Sequence, residues 1–321
     1  MGAEPSREPV SDALAPKRER EGTYSVPYLR ILRPYQWTKN LIIFAAVLFS
    51  PTQIARDPDV WVKILQAFAA FCLMSGAVYV INDIFDLNGD RVHPEKKKRP
   101  LASGQVSLSF AWTYGILIAA LALVWGFLLE TAFGWVLAAY FVINLVYSIG
   151  IKKAVILDIL FLSMGFVLRA LGGVLVLSHL MPHFYLSSWL ALCALLLSLF
   201  LVLGKRRHEI VMLEGNAAEH RAILGHYTVP FIDQLIGIVC AATIMSYCLY
   251  TISEDTQQLY HTKNLFFTVP FVIFGVFRYL YLIYKKTEGG DPSRLLFRDL
   301  PTLINVVLWI ATAATVVYLT R

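Results

Sequence analysis

The chain has 321 residues, 57% hydrophobic and only 16% charged, and its mean hydropathy of +0.61 excludes an ordinary soluble domain. The formal net charge of +6 lies in short loops between apolar runs and not on a soluble surface, which excludes nucleic acid as the partner and makes the lipid bilayer the expected solvent. Cys72, Cys193, Cys240 and Cys248 all sit inside apolar stretches, without the spacing of a zinc site or a disulfide framework, and read as small hydrophobes.

Residues Met1 to about Ser25 mix Pro, Ser, Glu, Lys and Arg with no apolar run, so a disordered cytoplasmic tail is expected there. The tail lacks the apolar core and cleavage site of a signal peptide. Residues 26–321 are expected to form a single transmembrane catalytic domain. Its apolar runs approach the roughly 20 residues that cross a hydrocarbon core, and they do not alternate as barrel strands would, so the fold class is an all-α, polytopic membrane bundle. About nine spans are predicted by length. They are Trp37–Pro51, Val62–Ile84, Leu108–Leu129, Phe133–Ile149, Val155–Leu177, Leu186–Leu203, Pro230–Ile252, Leu265–Tyr284 and Leu300–Leu319.

Loop charge then predicts orientation, because Lys and Arg are retained on the cytoplasmic side. Loops after even-numbered spans carry Arg91, Lys96, Lys97, Lys98 and Arg99, then Lys152 and Lys153, then Lys205, Arg206, Arg207 and Arg221, then Lys285, Lys286, Arg294 and Arg298. Those after odd-numbered spans carry only Arg56, Lys63 and Lys263. The amino terminus is therefore expected in the cytoplasm and Arg321 outside, in an inner or plasma membrane.

The second span ends in Asn82-Asp83-Ile84-Phe85-Asp86-Leu87-Asn88-Gly89-Asp90-Arg91. On a continuing helix Asp83, Asp86 and Asp90 share one face at a solvent-accessible end, where their repulsion calls for a cation. Oxygen-only ligands of this kind suit Mg²⁺ shared with substrate phosphates, although ordinary surface carboxylates are the plainer alternative. The following His93-Pro94-Glu95-Lys96-Lys97-Lys98-Arg99-Pro100 is either a topogenic loop or a polyanion-binding one.

The pattern Asn82-Asp83-x-x-Asp86-x-x-x-Asp90 resembles the first aspartate-rich motif of the UbiA superfamily of intramembrane prenyltransferases, and the span count matches over nearly the whole chain after the tail. Prenyl-transferring members usually carry a second aspartate-rich motif after span six. Here that place reads Gly204-Lys205-Arg206-Arg207-His208-Glu209, basic instead of acidic, which suits two phosphorylated substrates better than a neutral acceptor. Other landmarks resemble the decaprenyl-phosphate phosphoribosyltransferase branch: Arg33-Pro34-Tyr35-Gln36-Trp37-x-Lys39-Asn40, Asp90-Arg91-x-His93-Pro94-x-Lys96 with Arg99-Pro100, Lys152 followed by Asp158, Gly165-Phe166-x-x-Arg169-Ala170, Tyr227-Thr228 and Arg278-Tyr279.

That resemblance implies transfer of a 5-phosphoribosyl group from phosphoribosyl diphosphate (PRPP) to a polyprenyl phosphate, releasing diphosphate. The product would resemble a precursor of arabinose donors for a cell envelope. On this reading Asp83, Asp86 and Asp90 hold Mg²⁺ with Asn82 supporting, and Lys39, Lys152, Lys205 and Arg206 bind phosphate groups. Arg91 and Arg99 belong to the same substrate-binding set, Glu209 is a second metal ligand or ribose-hydroxyl acceptor, and Asp158 either orients Lys152 or a substrate hydroxyl or forms a structural ion pair. Tyr227 either touches ribose or anchors a loop. Arg169 and Arg278, inside spans, read as helix-to-helix clamps. The alternatives are a prenyltransferase acting on an aromatic or other acceptor, and a transporter, whose midplane site and related halves are not evident. A homo-oligomer is left open.

Overall fold

The computed structural model describes residues 27–48, 50, 56–180, 187–212, 222–285, 295 and 298–319, and the tail expectation for Met1–Ser25 lies outside these. Among the described residues there are helices and no strands. Eight helices are long and apolar enough to cross a membrane. In chain order the α-helices are α1 (Pro27–Arg30), α2 (Ala45–Leu48), α3 (Pro58–Phe85), α4 (Leu87–Val92), α5 (Leu108–Leu129), α6 (Thr131–Ile149) and α7 (Leu157–Leu175). There follow α8 (Ser188–Met212), α9 (Val229–Ile252), α10 (Glu254–Tyr260), α11 (Val269–Lys285) and α12 (Leu300–Leu319). The chain is an integral membrane protein with the helical fold that its hydropathy predicts.

Helix starts follow local chemistry. Asp57 accepts from the Asp59 N–H at 2.9 Å with Pro58 opening α3, and Ser107 accepts from Phe110 N–H at the start of α5. Thr228 and Ser253 cap α9 and α10 in the same way. Helix α3 is the hub of the bundle: Ile64, Ala67, Phe71 and Met74 are fully buried, and Phe71 meets the rings of both Phe133 and Tyr140 edge-on.

The first predicted span, Trp37–Pro51, is not an α-helix. Residues Pro34–Phe44 form a 3₁₀ segment that passes into the single turn α2. At about 2.0 Å per 3₁₀ residue and about 1.5 Å per α residue, this short stretch still covers close to the roughly 30 Å of a hydrocarbon core. Its start lies at Arg33, beside Asp83, and its end at Val47 and Leu48, whose carbonyls lie 2.8 and 3.0 Å from the Tyr318 hydroxyl. Gly173 of α7 allows the close approach, since a Cβ there would lie 2.3 Å from the Ile43 carbonyl oxygen. The buried Arg169 fastens the segment: Nε donates to Asn40 Oδ1 and Nη2 to Tyr140 Oη, both at 2.7 Å.

Candidate active site

Helix α3 stops at Phe85 because Asp86 takes φ −93° and ψ 0°, and α4 resumes at Leu87. This break holds the acidic residues at one end of the bundle, and each meets a cation. Arg33, in the left-handed region at φ 54° and ψ 60°, reaches Asp83 Oδ1 and lies over the Tyr79 ring at 5.2 Å. Arg99 Nη1 donates to Asp83 Oδ1 at 3.1 Å and also pairs with Asp90 Oδ2. Lys152, from the 3₁₀ turn Ile151–Lys153, pairs with Asp86 Oδ1, while Asn82 Nδ2 donates to Asp86 Oδ2 at 3.0 Å. Ser148 Oγ supports Asn82 by donating to its Oδ1 at 3.1 Å.

One sequence expectation needs correction here. The motif's helical spacing places its carboxylates at a solvent-accessible helix end, but Asp83 and Asp90 are 2% and 3% exposed. Among the described residues no three His, Cys, Asp or Glu side chains are drawn together by the protein alone. Burial is affordable because Arg33 and Arg99 neutralise the two acids in place. Burial works to lower the Arg33 pKa, but Asp83 foremost among its neighbours outweighs that, so the guanidinium stays charged.

A second cluster forms from Asp158 at the start of α7, Lys205, Arg206 and Glu209 on α8, and Tyr227. Arg206 is 2% exposed and Asp158 fully buried. Arg206 Nη1 donates to Glu209 Oε2 at 2.8 Å, and Nη2 stands 3.0 Å from Asp158 Oδ2, an ion pair not aligned as a hydrogen bond. Lys205 Nζ is 4.0 Å from Glu209 Oε1 and half exposed. The Tyr227 hydroxyl donates to Asp158 Oδ1 at 2.8 Å and accepts from Ile156 N–H at 2.7 Å. Burial pushes that phenol up to about 12, the Ile156 contact opposing and Asp158 adding, so it keeps its proton.

The structure thus joins Arg33, Asp83, Arg99 and Asp90 in one network, Asn82, Asp86 and Lys152 in a second that shares the end of α3, and Asp158, Lys205, Arg206, Glu209 and Tyr227 in a third. Lys39 is half-buried on the 3₁₀ segment, and Arg91 is exposed on α4. Arg33 stands in the sequence only as the head of a landmark motif, with no site role assigned there; the structure pairs it with Asp83. Arg278 clamps α11 to the start of α12, with Nε and Nη2 donating to the two Asp299 oxygens at 3.0 and 2.7 Å. An apolar cavity of about 1110 Å³ adjoins the 3₁₀ segment, lined by Leu41, Phe44, Val174, Leu197, Tyr247 and Trp309 and reaching Asp255 and Gln258 of α10.

Residues 41–300 match the UbiA prenyltransferase family. The chain belongs to that family. Among curated relatives of this UbiA chain, the decaprenyl-phosphate phosphoribosyltransferase of Mycolicibacterium smegmatis is 31% identical over 90% of this chain and 92% of its own. The one from Corynebacterium glutamicum is 29% identical over 97% and 93%. A UbiA homologue from Archaeoglobus fulgidus, solved bound to GPP and Mg²⁺, superposes with a TM-score of 0.65 at 20% identity, covering 91% of this chain and 99% of that one. At that identity the likeness establishes the UbiA fold.

The acidic set passes a chemical test for a divalent ion. The guanidinium contacts fall on Asp83 Oδ1 and Asp90 Oδ2, and among the described residues nothing pairs with Asp83 Oδ2 or Asp90 Oδ1. Mg²⁺ is ordinarily held by one or two carboxylates together with substrate phosphates, so a closed protein cage is not required.

Proposed function

We propose that this UbiA-family enzyme transfers a 5-phosphoribosyl group from PRPP to a polyprenyl phosphate. The bond from the anomeric carbon to diphosphate breaks, its electron pair leaves with the diphosphate, and an acceptor phosphate oxygen forms the new bond. The observation that carries this reading is Lys205, half exposed where prenyl-transferring relatives concentrate acids: with Arg99 and Lys152 at the end of α3 it supports cations on two sides for two anionic substrates. The similarity to phosphoribosyltransferases over nine-tenths of the chain supports the same choice.

In this proposal Asp83, Asp86 and Asp90 would supply the oxygens for Mg²⁺, whose charge would offset that building on the departing diphosphate. Arg33, Arg99 and Lys152, now paired with those carboxylates, are the cations within reach of the substrate phosphates. Lys205 and Lys39 meet phosphate groups, and Arg206 acts from beneath by fixing Asp158 and Glu209. The acceptor is already anionic at neutral pH, so positioning replaces a general base. The apolar cavity takes the isoprenoid chain. The basic loops support a site on the cytoplasmic side, where a soluble sugar phosphate would reach it.

The test is incubation of membranes carrying the protein with labelled PRPP and a polyprenyl phosphate, with and without Mg²⁺. Labelled lipid that depends on Mg²⁺ is the expected result. Absence of labelled lipid, with prenyl transfer from a polyprenyl diphosphate to an aromatic acceptor in its place, would return the enzyme to the other branch.

A further inference from the structure

The turn between α6 and α7 carries Lys152 and ends in an unusual backbone. Ile156 has φ 71° and ψ −45°, a γ-turn conformation that is rare for L-residues and an outlier for a β-branched one. Such a backbone persists only where its surroundings impose it. Here the imposing group is Tyr227, from a segment about seventy residues on. Its hydroxyl accepts the Ile156 N–H at 2.7 Å and gives its one proton to Asp158 Oδ1 at 2.8 Å. Asp158 is fixed in turn by Arg206, and the Tyr227 ring is stacked on Phe231. Below the strained residue, the Leu160 N–H returns to the Ile156 carbonyl at 3.0 Å and starts α7; above it, Lys152 meets Asp86.

We propose that Tyr227 is a positioning residue for Lys152: by holding Ile156 in its strained turn it aims the lysine at the carboxylate end, and it does not touch ribose. A phenol that is 4% exposed, with its proton given to Asp158 and its oxygen already accepting from Ile156, is turned to the protein and away from a sugar hydroxyl. What Lys152 then does to a phosphate rests on the function proposed above; the aiming itself does not.

The experiment uses the full chain in membranes and has two arms. In the first, which needs no substrate, Ala154→Cys places a half-buried thiol in the turn, and its rate of reaction with a water-soluble maleimide is read against the parent. Tyr227→Phe, which keeps the ring but loses the hydroxyl, is expected to raise that rate severalfold. Adding Ile156→Gly is expected to bring it back down, because glycine adopts positive φ without steric cost. In the second arm Tyr227→Phe is expected to raise KM for PRPP about tenfold with kcat little changed, the mark of lost binding. It should add nothing to Lys152→Gln, since both act through one contact. An unchanged thiol rate with Tyr227→Phe, or kinetic losses of Tyr227→Phe and Lys152→Gln that multiply, overturns the proposal. A wild-type protein that transfers no phosphoribosyl group, combined with a loosened turn in Tyr227→Phe, would sink the assigned reaction and leave the positioning role standing.

Discussion

Asp83 and Asp86 stand three residues apart but in different surroundings, and substitution is expected to separate them. The Asp86 side chain is one-third exposed with one lysine, so Asp86→Asn should change stability by only about 0 to 1 kcal/mol while removing most activity. Asp83 is buried between Arg33 and Arg99, and Asp83→Asn leaves two guanidinium groups facing an amide, a loss of about 3 to 5 kcal/mol in a broken buried pair. Thermal unfolding in detergent beside turnover distinguishes the two; equal stability of both variants contradicts the pairing. The same logic divides Lys205 from Arg206. Lys205→Gln should leave the protein stable and lower kcat/KM about tenfold to a hundredfold, the value of a charge-assisted phosphate contact. Arg206→Gln should unfold more readily, because it abandons the fully buried Asp158. The acids were legible in the sequence because carboxylates bordering an apolar run are costly without a purpose. Their partners were not, since Arg33 and Asp83 lie fifty residues apart and only the bundle brings them together.

Among the elements, the 3₁₀ segment and the start of α12 carry their own expectations. Gly173→Ala would set a methyl against the Ile43 carbonyl, and backbone cannot yield there as a side chain can, so a loss of about 1 to 3 kcal/mol is expected from overpacking. Its activity should fall further than its stability, since the displaced segment carries Lys39 and follows Arg33. At α12, Arg278 first, with Thr302 assisting, holds the Asp299 carboxyl well below the ordinary carboxylate range. A depressed folded pKa means its stabilisation is complete above the unfolded value of about 3.9 and lost only as pH falls through the lower folded value. The melting-temperature gap between wild type and Asp299→Asn should therefore hold from about pH 8 to about pH 5 and narrow only below about pH 4. A gap already closed at about pH 5 would count against the clamp. Apolar length predicted eight spans as helices of the right kind. It could not reveal that the first opens as a 3₁₀ spiral, because hydropathy reports which solvent a segment prefers and not how tightly its backbone winds.

For the whole molecule, charge and apolar volume are segregated. The ionic networks gather at one end and the cavity begins beside the 3₁₀ segment, so chelation by EDTA should abolish transfer, with recovery on excess Mg²⁺, while leaving the bundle folded. Persistence of activity in EDTA would remove the metal from the scheme. The composition of the cavity wall has one more consequence. An alkyl chain moving from a bilayer into a pocket of leucine, phenylalanine and valine exchanges one hydrocarbon surrounding for another, so there is almost no hydrophobic gain to tell a long tail from a short one. Selection of the acceptor then falls to its head group, and the concentration that governs saturation is the acceptor's mole fraction in the membrane plane: diluting it with inert lipid should slow the enzyme at constant bulk concentration.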